Sequence, residues 1–136
     1  MANGITLAES GRNQDPRILM VCDAPELAES IRPFLEQAGL VLQTAADGPQ
    51  AVKAAHIESP AAFFVVDRVN CTVDGREVFE LLRGDTATAS IPIVVATARA
   101  AEIDRVAGRG SLTSRYVTNP FSPRELVLAI KGLLGG

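Results

Sequence analysis

The stretch that decides the fold is Ala62-Phe63-Phe64-Val65-Val66-Asp67. Five apolar residues with no polar interruption end on a carboxylate. A short run of this kind, apolar on both alternating faces, reads as a strand covered on both sides. Such strands occur in parallel sheets whose two faces are packed by helices. An acid closing the most apolar segment of the chain is unusual, because Asp is seldom buried without a partner. Asp67 therefore reads both as the end of the most apolar strand and as a candidate functional group.

Working outward, the same alternation recurs on each side. Upstream, Ile18 to Val21 is a buried strand, followed by a helix from Pro25 to Ala38 with Leu27, Ile31, Phe34 and Leu35 at helical spacing. Pro33 lies inside that pattern and is expected to kink it. Leu40 to Thr44 is a second strand, and Asp47-Gly48-Pro49-Gln50 opens a second helix that runs to about Ile57. Downstream, a third helix opens at Asp74-Gly75. Ile91 to Ala96 is a fourth strand, and a weak fourth helix is broken by Gly108 and Gly110. Arg115 to Thr118 is a fifth strand, and Ser122 to Leu134 a final helix. Residues 1–16 lack a sustained pattern and read as a flexible N-terminal extension to a domain at 17–134.

Several helix starts share one signature. Asp23-x-x-Glu26, Asp47-x-x-Gln50, Asp74-x-x-Glu77 and Ser122-x-x-Glu125 all have the form of capping boxes. Five strand–helix repeats in strict alternation predict an α/β fold: a doubly wound five-stranded parallel sheet with five helices. The functional crevice of such a sheet lies beyond the carboxyl ends of its strands. Asp23, Asp67 and Thr97 follow the first, third and fourth strands, and Asn119 follows the fifth. Two carboxylates at one crevice are hard oxygen donors suited to Mg2+, and a hydroxyl such as that of Thr97 can donate to a phosphoryl oxygen.

Composition narrows the function classes. The chain has 136 residues, the size of one domain, with a net charge of −3, which argues weakly against nucleic acid or an acidic membrane as main partner. No apolar run reaches membrane-spanning length. Two cysteines, Cys22 and Cys71, do not make a disulfide framework, and a reducing cytoplasm is the simpler location. His56, at the end of a helix, reads as a solvated surface residue.

These residues resemble the receiver domain of two-component response regulators over about residues 17–134. The likeness is carried by Ile18-Leu19-Met20-Val21-Cys22-Asp23, by Asp67 with Asp74-Gly75, by Ile91-Pro92 leading to Thr97-Ala98, and by Tyr116-Val117-Thr118-Asn119-Pro120-Phe121. It implies the flavodoxin-like strand order 2-1-3-4-5 and a module of a phosphorelay, not an enzyme beyond its own phosphoryl transfer. It also implies that Asp67 is the phosphoacceptor. Asp23, Asp67 and the backbone carbonyl of Val69 would hold Mg2+, and Thr97 and Tyr116 would form the phosphoryl-binding switch. The implied partners are a histidine kinase or phosphotransfer protein and a downstream effector. Membrane and direct DNA binding are not expected, and a homodimer stays open.

Two signature positions depart from the family. Cys22 stands where the first of two acids is usual, and Asn119 where a lysine is usual; Cys71 replaces a frequent proline. The missing ammonium would pair with the acceptor carboxylate. Lys53 and Lys131 lie in the second and last helices and cannot replace it. Arg68, next to Asp67, and Arg99, two residues past Thr97, are the candidate compensating cations. Arg105, Arg109 and Arg115, with Tyr116, mark a candidate partner face. The alternative is a pseudo-receiver that binds a protein or nucleotide messenger without phosphorylation. A flavin binder is disfavoured, because Cys22-Asp23-Ala24-Pro25 stands where a phosphate loop would be.

Overall fold

The computed structural model describes residues 15–67, 72–99, 114–118 and 121–135. Five strands form one parallel sheet: β1 (Arg17–Val21), β2 (Val41–Ala45), β3 (Ala62–Val66), β4 (Ile93–Ala96) and β5 (Ser114–Val117). Their order is β2-β1-β3-β4-β5. Four helices are described: α1 (Pro25–Gln37), α2 (Gly48–Ile57), α3 (Gly75–Gly84) and α4 (Pro123–Leu133). The expected helix with Gly108 and Gly110 falls in 100–113, outside the described residues, as do residues 1–14 of the expected extension.

Strand alternation divides the core into two layers. Ile18, Met20, Phe64, Val66 and Val94 pack with Ile31 and Leu35 of α1 and Leu126 and Ile130 of α4. Leu19, Val21, Phe63, Val65, Ile93 and Val95 pack with Ala51 and Ala55 of α2 and Val78, Phe79 and Leu82 of α3. β3 is buried at all five positions, as its composition requires of the middle strand. Phe121, just before α4, meets Phe64 edge-on with ring centroids 5.2 Å apart. This contact fixes the residue before α4 against the middle strand.

Element ends follow local hydrogen bonding. α1 stops at a Schellman turn: Gly39 takes φ +81°, its amide donates to Glu36 O, and the Leu40 amide donates to Leu35 O. Leu40 is thereby used in the turn, so β2 begins one residue later than expected. β4 begins at Ile93, not Ile91, because the Ile91 amide closes a turn onto Thr88 O. α1 continues through Pro33 as one helix.

Three of the four anticipated caps form. The Asp47 side chain accepts from Gln50 N, Asp74 accepts from Arg76 N and Glu77 N, and Ser122 with Glu125 makes a complete capping box. The fourth does not: α1 is capped at Ala24 with no side-chain hydrogen bond, and Asp23 is engaged elsewhere. His56 is half-exposed but not purely solvated. Its Nε2 lies 3.1 Å from both carboxylate oxygens of Asp85, tying the end of α2 to the end of α3.

Candidate functional site

The sheet register builds the site. β1 pairs with β3 so that Val21 faces Val65, and β3 pairs with β4 so that Val66 faces Ala96. One step on, the Asp67 amide donates to Ala96 O and the Thr97 amide to Val117 O, each at 2.9 Å. The same register carried two residues past Val21 and Val65 puts Asp23 level with Asp67. Asp23, Asp67 and Thr97 thus share one row beyond the carboxyl edge of three adjacent strands.

Asp67 is the centre of that row and is only 4% exposed. Its Oδ1 accepts from the Gly75 amide at 2.7 Å and from Arg99 Nη2 at 3.0 Å. Its Oδ2 accepts from Thr97 Oγ1 at 2.6 Å and from Arg99 Nε at 2.9 Å. The guanidinium therefore meets the carboxylate as a two-pronged fork, the strong geometry for this pair. Burial pushes the Asp67 carboxyl upward, but the Arg99, Thr97 and Gly75 hydrogen bonds prevail and hold it at about 2. The Asp67 hydrogen bonds hold Arg99, in turn, well above the ordinary arginine value.

Two local features give this arrangement its shape. Gly75, first residue of α3, is small enough to approach: an added Cβ would lie 2.8 Å from the Cβ of Asp67. Arg99 is oriented from its other side, since Nη2 also donates to Asp74 Oδ1 at 2.7 Å. Its backbone amide donates to Thr97 Oγ1 at 2.9 Å. Asp74 thus caps α3 and anchors the guanidinium at once. Its sequence signature is that of the cap alone.

Asp23 is exposed and reaches across to the loop after β3. Its Oδ1 accepts from the Thr72 amide at 2.9 Å, and its Oδ2 accepts from the Thr72 hydroxyl. These bonds, led by the hydroxyl, hold its carboxyl below the usual range. Thr72 carries no sequence signal for this role. A groove of about 560 Å³ opens beside Asp23 and Thr72, with Asp47, Asp74, Glu77, Val78 and Leu81 among the residues that line it.

The other anticipated residues divide as follows. Cys22 is buried at the end of β1, and its amide donates to Ala45 O. Tyr116 is half-buried on β5, opposite Val95. Arg115 is exposed on the same strand. Val69, Asn119, Arg68, Arg105 and Arg109 lie outside the described residues. Arg83 has no counterpart among the anticipated residues. It is half-buried against the Phe79 ring, and donates to the carbonyls of Ala89 and Ile91 and to Ser114 Oγ, bracing the start of β5.

Among the described residues no cluster of three or more acidic, His or Cys side chains is arranged to hold a metal. The donor chemistry nevertheless fits Mg2+. Asp23 and Asp67 supply two carboxylates in one row, and Mg2+ is commonly held by one or two with water completing the shell.

An α/β sheet of this order with a buried acid at its switch point defines a flavodoxin-like fold. The chain belongs to the response regulator receiver domain family, whose model matches residues 18–131. It is 33% identical over 123 residues to the transcriptional regulatory protein ResD of Bacillus subtilis, covering 90% of this chain and 50% of that one. It is 36% identical over 118 residues to the alkaline phosphatase synthesis transcriptional regulatory protein PhoP of the same organism, covering 87% and 48%. The chain thus spans about half the length of these relatives. Among solved structures, the receiver domain of a sensor histidine kinase from Pseudomonas aeruginosa is 28% identical with a TM-score of 0.70, over 89% of this chain and 98% of that one. That structure holds a magnesium ion in its active-site cleft. The signal receiver domain of a histidine kinase from Syntrophus aciditrophicus shares the fold, with 24% identity and a TM-score of 0.74, over 89% and 91%. The receiver family favours the phosphoacceptor reading over the pseudo-receiver alternative. The relatives are named as regulators of transcription, so they lend no support to the expectation that this chain makes no direct DNA contact.

Proposed function

We propose that residues 17–134 form a receiver unit that accepts a phosphoryl group on Asp67 from a phosphohistidine of a histidine kinase or phosphotransfer protein in the cytoplasm. The observation that carries this is the buried carboxylate of Asp67, met by Thr97, Gly75 and Arg99 at the middle strand's end. An Asp67 oxygen attacks phosphorus as the N–P bond of the donor breaks, its electron pair returning to the imidazole, which takes up a proton. The chain then carries an acyl phosphate.

Its own residues supply what that step needs, which is positioning and charge neutralisation. The Gly75 amide, the Thr97 hydroxyl and the Arg99 guanidinium are the donors available to the added oxygens. Asp23, Asp67 and the Val69 carbonyl would hold Mg2+, which when bound neutralises phosphoryl charge; Cys22 in place of an acid leaves that site one carboxylate poorer. Thr97 and Tyr116 would report the change to an effector, with Arg105, Arg109 and Arg115 on the docking face. The module is a phosphoacceptor and turns over no substrate beyond its own phosphoryl group.

The test is incubation with a small phosphodonor and Mg2+, followed by intact-mass measurement. A gain of one phosphoryl group in the wild type and none in Asp67→Asn is expected. No Asp67-dependent gain, with the small donor or with a matched kinase, overturns the reading.

A further inference from the structure

We propose that Arg99 is a latch on the acceptor: it covers both oxygens of Asp67 at rest and must withdraw from at least one before a cation or a phosphoryl group can reach the carboxylate. The inference rests on the receiver reading and adds a mode of regulation to the same site.

A carboxylate offers about four acceptor positions, two on each oxygen. All four are engaged here. Gly75 N and Arg99 Nη2 take Oδ1, while Thr97 Oγ1 and Arg99 Nε take Oδ2. Gly75 N is backbone at the start of α3, and Thr97 is fixed at the end of β4. Among the described donors, Arg99 supplies two of the four from a long, partly exposed side chain, so it is the one of these three able to leave. The structure also shows where it stays when it does. Nη2 donates to Asp74 Oδ1 at 2.7 Å, shorter than its own 3.0 Å bond to Asp67 Oδ1 and the 2.9 Å bond from Nε to Oδ2. Releasing Asp67 therefore leaves the guanidinium paired on the cap of α3, not stranded. A phosphoryl group on Asp67 would draw it back, so the charge on the acceptor sets how the Arg99–Asp74 bond is shared.

The latch makes Arg99 and a divalent cation competitors for Asp67. The test is a Mg2+ titration of the wild type, Arg99→Gln and Arg99→Lys, followed by the amide shifts of Gly75 and Thr97, with folding checked by the remainder of the spectrum. Arg99→Gln keeps length and hydrogen bonding but loses the charged fork. It is expected to bind Mg2+ about tenfold or more tightly than wild type, the scale of one charge-assisted hydrogen bond. Arg99→Lys keeps the charge but cannot cover two oxygens at once, so it is also expected to bind more tightly.

An unchanged Mg2+ affinity in both variants overturns the latch. A gain in Arg99→Gln with none in Arg99→Lys reduces the effect to charge repulsion and overturns it as well. Phosphorylation of the wild type and both variants is measured alongside. If Mg2+ tightens as expected but none of the three gains a phosphoryl group on Asp67, the receiver reading fails and the latch stands. If all three are phosphorylated without any change in Mg2+ affinity, the latch fails and the receiver reading stands.

Discussion

Replacing Gly75 with alanine perturbs the acceptor without touching its charge. The new Cβ would sit 2.8 Å from the Asp67 Cβ, 3.0 Å from its Cγ and 3.1 Å from its Oδ1. No real pair of carbons tolerates the first of these distances, and the neighbour is a buried side chain on the middle strand. Either α3 or Asp67 must move, and the 2.7 Å hydrogen bond from the Gly75 amide to Oδ1 is the first to break. A hydrogen bond to a charged group contributes about 1.5–3 kcal/mol, and overpacking adds about 1–3 kcal/mol. Alanine's better helix propensity offsets less than about 1 kcal/mol. The expected net destabilisation is about 2–5 kcal/mol, read as a lower urea midpoint at an unchanged slope. The same helix contains its own control: a Cβ at Gly84 meets nothing within 4 Å, so Gly84→Ala is expected to be neutral or slightly stabilising. NMR titration of the Asp67 carboxyl should show its pKa rising from about 2 in Gly75→Ala. Equal stability of Gly75→Ala and wild type, or equal losses at both glycines, would refute the reasoning.

Two further outcomes follow from the same geometry. The depressed Asp67 pKa, about 2 against 3.8, means the native state holds this carboxylate more tightly ionised than the unfolded chain does. The stabilisation, about 2.5 kcal/mol at 1.36 kcal/mol per unit, is fully present above about pH 5 and disappears as pH falls toward 2. Urea midpoints measured across that window should therefore fall further for wild type than for Asp67→Asn, and parallel curves would contradict the assignment. At the helix starts, Ser122→Ala should cost about 0.5–2 kcal/mol through removal of a cap, whereas Asp23→Ala removes no cap from α1. Thermal melts read the Ser122 loss. The amide shifts of the first turn of α1 are expected to stay in place in Asp23→Ala, and a frayed first turn there would contradict the Ala24 start.

Local pattern was sufficient for whatever depends on neighbours in sequence. The apolar run Ala62–Val66 specifies a strand covered on both faces, and it is buried throughout. Alternating strands and helices, with right-handed crossovers, lead to a parallel sheet, and the family resemblance supplied the order in which the strands lie. The caps at Asp47, Asp74 and Ser122 are legible because donor and acceptor are two or three residues apart. The placement of Asp67 and Thr97 is legible because each ends a strand whose register is set by the hydrophobic pattern.

Tertiary structure decided which partner each polar side chain takes. Asp23 carries the local signature of a cap, yet its carboxylate goes to Thr72, 49 residues away. Two arginines, at 68 and 99, were equally placed in sequence to neutralise Asp67. Arg99 meets it from 32 residues away, by a fork that Asp74 orients from the third helix, while Arg68 lies outside the described residues. The physical reason is common to both. A strand or helix is determined by many weak preferences that agree along the chain, whereas a hydrogen bond between long-range side chains depends on one distance and one angle, which exist only once the sheet has assembled.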